Sequence, residues 1–133
     1  HYKFIFSPNN SGTTIMSQYL LAHINNSYLP PFGNNEGQMA PNVKKIMRHN
    51  LGNLIQLLIG IHKKEWDVLA NEEKKEVFIE SSPPNIVRVS SILDVFKDCQ
   101  YIFSISSPYS YIASSIFNYF GKGKQNQQIY DTL

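Results

Sequence analysis

Lys3-Phe-Ile-Phe-Ser-Pro-Asn-Asn-Ser-Gly-Thr-Thr14 passes from an aromatic and β-branched run into small polar residues and then into a helical pattern. The apolar part, Lys3 to Ser7, shows little alternation, as expected of a strand covered on both faces. Glu76 to Glu80 (EVFIE) and Tyr101 to Ile105 (YIFSI) have the same character, and each leads through a small polar turn into helical spacing. This strand and helix alternation predicts an α/β domain on a parallel sheet.

The helices are read outward from there. The first starts near Gly12-Thr13-Thr14, carries Ile15, Met16, Tyr19, Leu20, His23 and Ile24 at offsets of three and four, and ends near Asn25-Asn26. His23 falls on that apolar stripe and is expected in the core. A second helix is expected from Pro41-Asn42 through Val43, Ile46, Met47, Leu51, Leu54, Ile55 and Leu58, with Lys44, Lys45 and Arg48 on its polar side. Ser27 to Ala40, with Pro30, Pro31, Gly33 and Gly37, reads as an ordered loop. His62 to Glu76 reads as a solvated helix and connector anchored by Trp66. Ser82 is expected to cap a helix led by Pro83, with Ile86, Val89, Leu93 and Phe96 on one face. Ser107 and Pro108 repeat the device, ahead of a buried stripe of Ile112, Ala113, Ile116, Phe117 and Phe120.

Composition sets limits. The chain of 133 residues is 42% hydrophobic, enough for one domain with a core, expected over residues 1–133. Twelve Lys and Arg against ten Asp and Glu give +2, so charge does not indicate a nucleic-acid partner. A single cysteine, Cys99, excludes an intramolecular disulfide and a multi-cysteine zinc site, and it is read as structural. No histidine pair has metal-ligand spacing, so no metal is expected. The apolar stretch Leu51 to Ile61 is too short and too polar to span a membrane. The opening at His1 and the polar run Gly121 to Gln128 suggest a fragment of a longer protein.

A strand followed by Asn10-Ser-Gly-Thr-Thr14 and a helix is the arrangement of an anion site. Backbone N–H groups at a helix start lack intrahelical partners and lie at the positive end of its dipole, while the hydroxyls of Ser11, Thr13 and Thr14 add donors. The nucleoside-triphosphate loop would need a lysine after its last glycine. Thr13 follows Gly12 here, so ATP or GTP hydrolysis is not expected.

Three blocks together resemble the sulfotransferase family. Pro8-Asn-Asn-Ser-Gly-Thr-Thr14 is similar to its 5′-phosphosulfate loop, Glu80-Ser-Ser-Pro-Pro-Asn-Ile-Val-Arg88 to its Glu-Lys-[Ser/Thr]-Pro segment, and Ser106-Ser-Pro-Tyr-Ser-Tyr-Ile-Ala-Ser114 to its 3′-phosphate block. Glu36-Gly-Gln38 ahead of a helix resembles a subset of these enzymes. The likeness runs from about Phe4 to Phe117, the donor-binding N-terminal half. It implies a three-layer α/β/α fold of P-loop nucleoside triphosphate hydrolase type and 3′-phosphoadenosine 5′-phosphosulfate (PAPS) as donor, with no metal. It also implies Asn10, Ser11, Gly12, Thr13 and Thr14 on the 5′-phosphosulfate, Ser106 and Ser114 on the 3′-phosphate, and Glu80 as the base for a hydroxyl or amine acceptor.

The blocks depart from the family at three places: Asn10, Ser81 and Ser106 stand where it usually carries cations. Losing one such electrostatic group commonly costs about 10²- to 10³-fold in rate. A noncatalytic relative that keeps the fold and an anion site is therefore the alternative, unless Lys44, Lys45, Arg48 or Arg88 substitutes.

Overall fold

The computed structural model describes residues 1–46 and 54–120. Its sheet has four strands, all parallel: Tyr2–Phe6 (β1), Ser27–Tyr28 (β2), Val77–Glu80 (β3) and Cys99–Phe103 (β4), in the spatial order β2-β3-β1-β4. The helices are Thr13–His23 (α1), Pro41–Lys44 (α2), Ile55–Glu72 (α3), Val89–Val95 (α4) and Pro108–Phe120 (α5), with 3-10 turns at Gly37–Met39 and Pro83–Arg88.

β1 lies between β3 and β4, and its alternation divides the core. Tyr2, Phe4 and Phe6 pack with Trp66 of α3, Phe78, Ile92 of α4 and Phe96. Ile5 and Ile79 occupy the other face with Leu29, against Met16 and Leu20 of α1. The connection from β1 to β2 crosses the sheet in one direction, and that from β3 to β4 crosses in the other. Since parallel crossovers are right-handed, α1 and α4 fall on opposite faces.

The first face is aromatic. Phe4 stacks on Phe6 at 5.5 Å between centroids and meets Phe96 edge-on at 5.0 Å, while Trp66 stacks on Phe78 at 5.6 Å. Such pairs add about 0.5–1.5 kcal/mol each beyond the area they bury. Trp66 is the anchor of its helix, as expected, and its indole Nε1 donates to the Gly37 carbonyl at 3.1 Å.

Several expectations are corrected. β4 is not covered on both faces: it pairs with β1 at one edge, and Tyr101 and Phe103 are about half exposed. The expected stripe of α1 is buried only in part: Met16 and Leu20 pack on the sheet, whereas Ile15 and Tyr19 are exposed and Thr13 and Ser17 are buried. Ser17 can be buried because its hydroxyl donates to the Thr14 carbonyl at 2.9 Å. His23 is consequently outside the core, exposed, with its ring against Tyr19. α1 stops at His23 because Ile24 is already extended.

The loop of residues 27–40 contains β2, whose Ser27 and Tyr28 pair with Val77 and Phe78, and the 3-10 turn. One continuous helix from Pro41 to Leu58 is not seen: α2 ends at Lys44 and α3 begins at Ile55. Met47, Arg48 and Leu51 lie outside the described residues, as do Gly121 to Gln128. Ile112, Ile116 and Phe117 of α5 are exposed rather than buried. Cys99 is half-buried at the start of β4, and burial pushes its thiol up, in keeping with a structural cysteine.

Trp66→Ala removes the centre of the aromatic layer and its hydrogen bond. The expected loss is about 3–5 kcal/mol in urea unfolding followed by far-UV circular dichroism.

Candidate functional site

The loops after β1, β3 and β4 leave the same, carboxyl edge of the parallel sheet, the edge at which open α/β folds bind ligands. Two of them touch. Ser11 Oγ lies 3.1 Å from Ser106 Oγ, across 95 positions of sequence. Asn10 Nδ2 donates to Ser115 Oγ of α5 at 3.3 Å. The pairing of β1 with β4 continues up to this point, the Ser104 N–H donating to the Phe6 carbonyl at 2.9 Å.

The first loop turns through two left-handed residues, Asn10 (φ 60°) and Gly12 (φ 79°). Asparagine and glycine tolerate that region best. Gly12 is the residue ahead of α1, and no side chain caps the helix there. The first intrahelical bond runs from the Met16 N–H to the Gly12 carbonyl, so the N–H groups of Thr13, Thr14 and Ile15 precede it. Thr14 is exposed and Thr13 buried. Ser114 is half-buried on α5, next to the Ser115 that meets Asn10. Ser107 caps α5 as expected, its Oγ accepting from the Ser110 N–H at 3.2 Å.

Ser82 does not cap a helix by its side chain; Pro83–Arg88 is a 3-10 turn. Its hydroxyl instead accepts from the Gln38 N–H at 2.9 Å, which ties the third strand to the Glu36–Gln38 segment. Glu80 does the same from one residue position inside the strand. It is fully buried; Oε2 accepts from the Gly37 N–H at 2.8 Å, and Oε1 accepts from the Ser82 N–H at 2.9 Å and Asn85 Nδ2 at 3.0 Å. Burial pushes the Glu80 carboxyl up to about 7; its hydrogen bonds pull the other way but do not cancel it. A Cβ on Gly37 would collide with Glu80 Oε2 and the Trp66 indole, so glycine is required there for steric reasons. This geometry is that of a carboxylate that positions loops.

Of three further buried groups, sequence reasoning did not single out Ser7 or His62 and noted Ser81 only as a neutral residue in place of a cation. Ser7 and Ser81, just past the ends of β1 and β3, are buried, and their hydroxyls have no hydrogen-bond partner among the described residues. Continuing the strand alternation puts both on the side of the sheet covered by α1. His62, expected on a solvated helix, is buried against Trp66, ring centroids 5.7 Å apart. Burial, helped by the nearby Arg88 charge, holds it down at about 4, so it is neutral at pH 7. The Glu36-Gly-Gln38 motif, the block opened by Glu80 and the Trp66 anchor were the sequence signals for this inner layer.

Among the described residues no group of three or more His, Cys, Asp or Glu could hold a metal, and no helix is long and apolar enough to cross a membrane. Comparison of the chain with protein-family models, with curated proteins and with solved structures finds no match.

The raised Glu80 carboxyl has a pH consequence of definite sign. Its folded pKa of about 7 lies above the ordinary 4.5, so its contribution to stability is complete below pH 4.5 and is lost as pH rises through 7. Urea unfolding from pH 4 to 8 is expected to show the native chain losing on the order of 3 kcal/mol relative to Glu80→Gln across that window. Parallel profiles for the two proteins would reject the buried, uncharged carboxyl.

Proposed function

We propose that the carboxyl edge of this sheet binds the bisphosphorylated adenosine of PAPS. The chain is then the donor-binding part of a sulfotransferase-like protein, acting on a hydroxyl or amine acceptor. The observation that carries this reading is the meeting of Ser11 and Ser106, which brings the block resembling the 5′-phosphosulfate loop beside the block resembling the 3′-phosphate site. The central β1, the loop opening α1, and helices on both faces of a β2-β3-β1-β4 sheet support a three-layer, P-loop-type architecture for it.

In this reading the backbone N–H groups at the start of α1, with Gly12, Thr13 and Thr14, hold the 5′-phosphosulfate together with Asn10 and Ser11. Ser106 and Ser114 hold the 3′-phosphate. In transfer, the bond from sulfur to the bridging phosphate oxygen breaks as the acceptor oxygen or nitrogen bonds to sulfur, and the acceptor proton passes to a base. Glu80 serves that reaction by fixing the Gly37 and Ser82 loops; it reaches an acceptor proton only if those loops part from it.

The burial of Glu80 favours a second reading. A fully buried carboxylate occupied by three N–H donors, with neutral Asn10, Ser81 and Ser106 at the loops, suits a noncatalytic module that binds the nucleotide without turnover. Titration calorimetry with 3′-phosphoadenosine 5′-phosphate (PAP), with ATP as control, tests the shared donor site. Saturable binding of PAP but not ATP is expected, and no binding of PAP would reject both readings. Release of PAP from PAPS on addition of an acceptor separates them.

Two substitutions sharpen the test. Thr13→Ala combined with Thr14→Ala should weaken PAP binding at least about tenfold, two hydrogen bonds being lost at roughly 1 kcal/mol each. Asn10→Lys should strengthen it by about tenfold, a charge-assisted bond replacing a neutral one. Unchanged affinity in the first would remove the loop from the site.

A further inference from the structure

Two hydroxyls at the carboxyl edge of the sheet have no hydrogen-bond partner among the described residues. Ser7 Oγ and Ser81 Oγ stand just past the paired strands β1 and β3, on residues 0% and 1% exposed. A buried polar group left so carries its whole desolvation cost, and two at one edge point to a group that completes them. Continuing the register Phe4↔Glu80 sets Ser7 two residues beyond Ser81, about 8 Å apart between Cα atoms. One tetrahedral oxyanion bridges such a gap.

Ser7 follows Ile5 by two positions and Ser81 follows Ile79 by two, so both continue the side of the sheet that meets Met16 and Leu20 of α1. α1 starts at this edge with Thr13 and Ser17 buried, no side-chain cap at Gly12 and no acidic residue in its first turn. A Cβ on Gly12 would meet nothing within 4 Å, so the helix start has room beside it. Unpaired N–H groups at a helix start, with two unpaired hydroxyls on the side the helix covers, are the donors that an oxyanion requires.

We infer, on the strength of the donor reading above, that Ser7 and Ser81 join the first N–H groups of α1 in holding the nonbridging oxygens of the 5′-phosphoryl group, and that they take this group in its singly charged form. Ser7, Ser81, Thr13 and Ser17 are all uncharged. Of the charged or titratable side chains on the surrounding elements, Lys3 of β1 is bonded to Gln100 at the amino end and His23 lies in the last turn of α1. Glu80 of β3 is turned to the Gly37 side, and Glu36, bonded to Gln38, is a second acid beside it. β4 and α5 contain no Asp, Glu, Lys, Arg or His.

The cost of taking a charge out of water grows with its square, and neutral donors alone face it here, so a second negative charge is poorly tolerated. In PAPS the 5′-phosphoryl group is bonded to the ribose oxygen and, through the bridging oxygen, to sulfur, which leaves it one ionised oxygen. Transfer breaks the bond from sulfur to the bridging oxygen and leaves the electron pair on that oxygen. PAP therefore ends in a monoester whose second pKa is about 6, doubly charged at about pH 8. The site prefers fresh donor to spent donor, and transfer itself loosens the product. Both hydroxyls are enclosed, so the phosphoryl group reaches them as the loop through the left-handed Asn10 and Gly12 gives way.

Titration calorimetry of the 133-residue chain with PAPS and with PAP, without acceptor, is the test. The 3′-phosphate is common to both ligands, so its titration and that of the protein largely cancel in the ratio of the two affinities. The preference for PAPS is expected to grow at least about tenfold between about pH 5 and pH 8, as the second proton leaves PAP. Ser7→Ala and Ser81→Ala should each weaken PAPS about fivefold, one hydrogen bond being lost, while raising the urea midpoint of the unliganded chain by removing an unmet hydroxyl. A preference that does not change with pH, or variants that bind PAPS as the native chain does, would overturn the inference and leave the donor site standing. Binding of neither nucleotide would reject the donor reading and this inference with it.

Discussion

A carboxylate at the end of a buried parallel strand has to be answered by donors, and much of this molecule is arranged around the answer given to Glu80. Its oxygens take N–H groups from Gly37, Ser82 and Asn85, so one side chain fixes the segment ahead of α2 and the turn after β3 at once. The Trp66 indole donates to the same Gly37 from the other side and thereby sets where α3 lies against the sheet. Gly37 has no room for a side chain between them. Leaving any of these donors or acceptors unmet in the interior costs about 1–3 kcal/mol, so each contact favours the others.

The strands were legible because parallel sheets need unbroken apolar runs, and β1, β3 and β4 all fall within two residues of where the runs lie. The Ser107 cap was equally local, a hydroxyl three residues ahead of the N–H it accepts. What sequence patterns missed depends on topology. The aromatic run of β4 has the same composition as β1, yet one strand is central and the other is an edge, and only the strand order decides their burial. β2 is two residues long and leaves no run to read. The stripe on α1 was read too wide: Met16 and Leu20 do meet the sheet, but Thr13 and Ser17, small polar residues, are buried there in place of Ile15 and Tyr19. Of the proposed site, the first and third loops were readable as blocks, and their contact was not, since it spans 95 positions. The inner role of Glu80 was hidden for the same reason.

The proposed donor site differs from a cluster of lysines and arginines in offering hydroxyls, an amide and helix-start N–H groups. Such donors give direction without long-range attraction. A ligand is then selected by the placement of its oxygens more than by its total charge, and binding depends less on salt than at a cluster of lysines and arginines. Deeper in, the two buried titratable groups respond to acid in opposite senses: His62 must take up a charge as pH falls toward 4, while Glu80 sheds one. Between these effects the interior has a pH range in which both are neutral, and there the core carries no net charge from either.

The central place of β1 also bears on synthesis. Phe4 pairs with Glu80 on one side and Tyr101 on the other, so β1 leaves the ribosome well before either of its sheet neighbours. At roughly 5–20 residues per second, its row of Tyr2, Phe4 and Phe6 stays without its sheet neighbours for on the order of 4–15 s. During that interval the nascent chain displays an aromatic strand with two open edges, the kind of segment that chaperones hold.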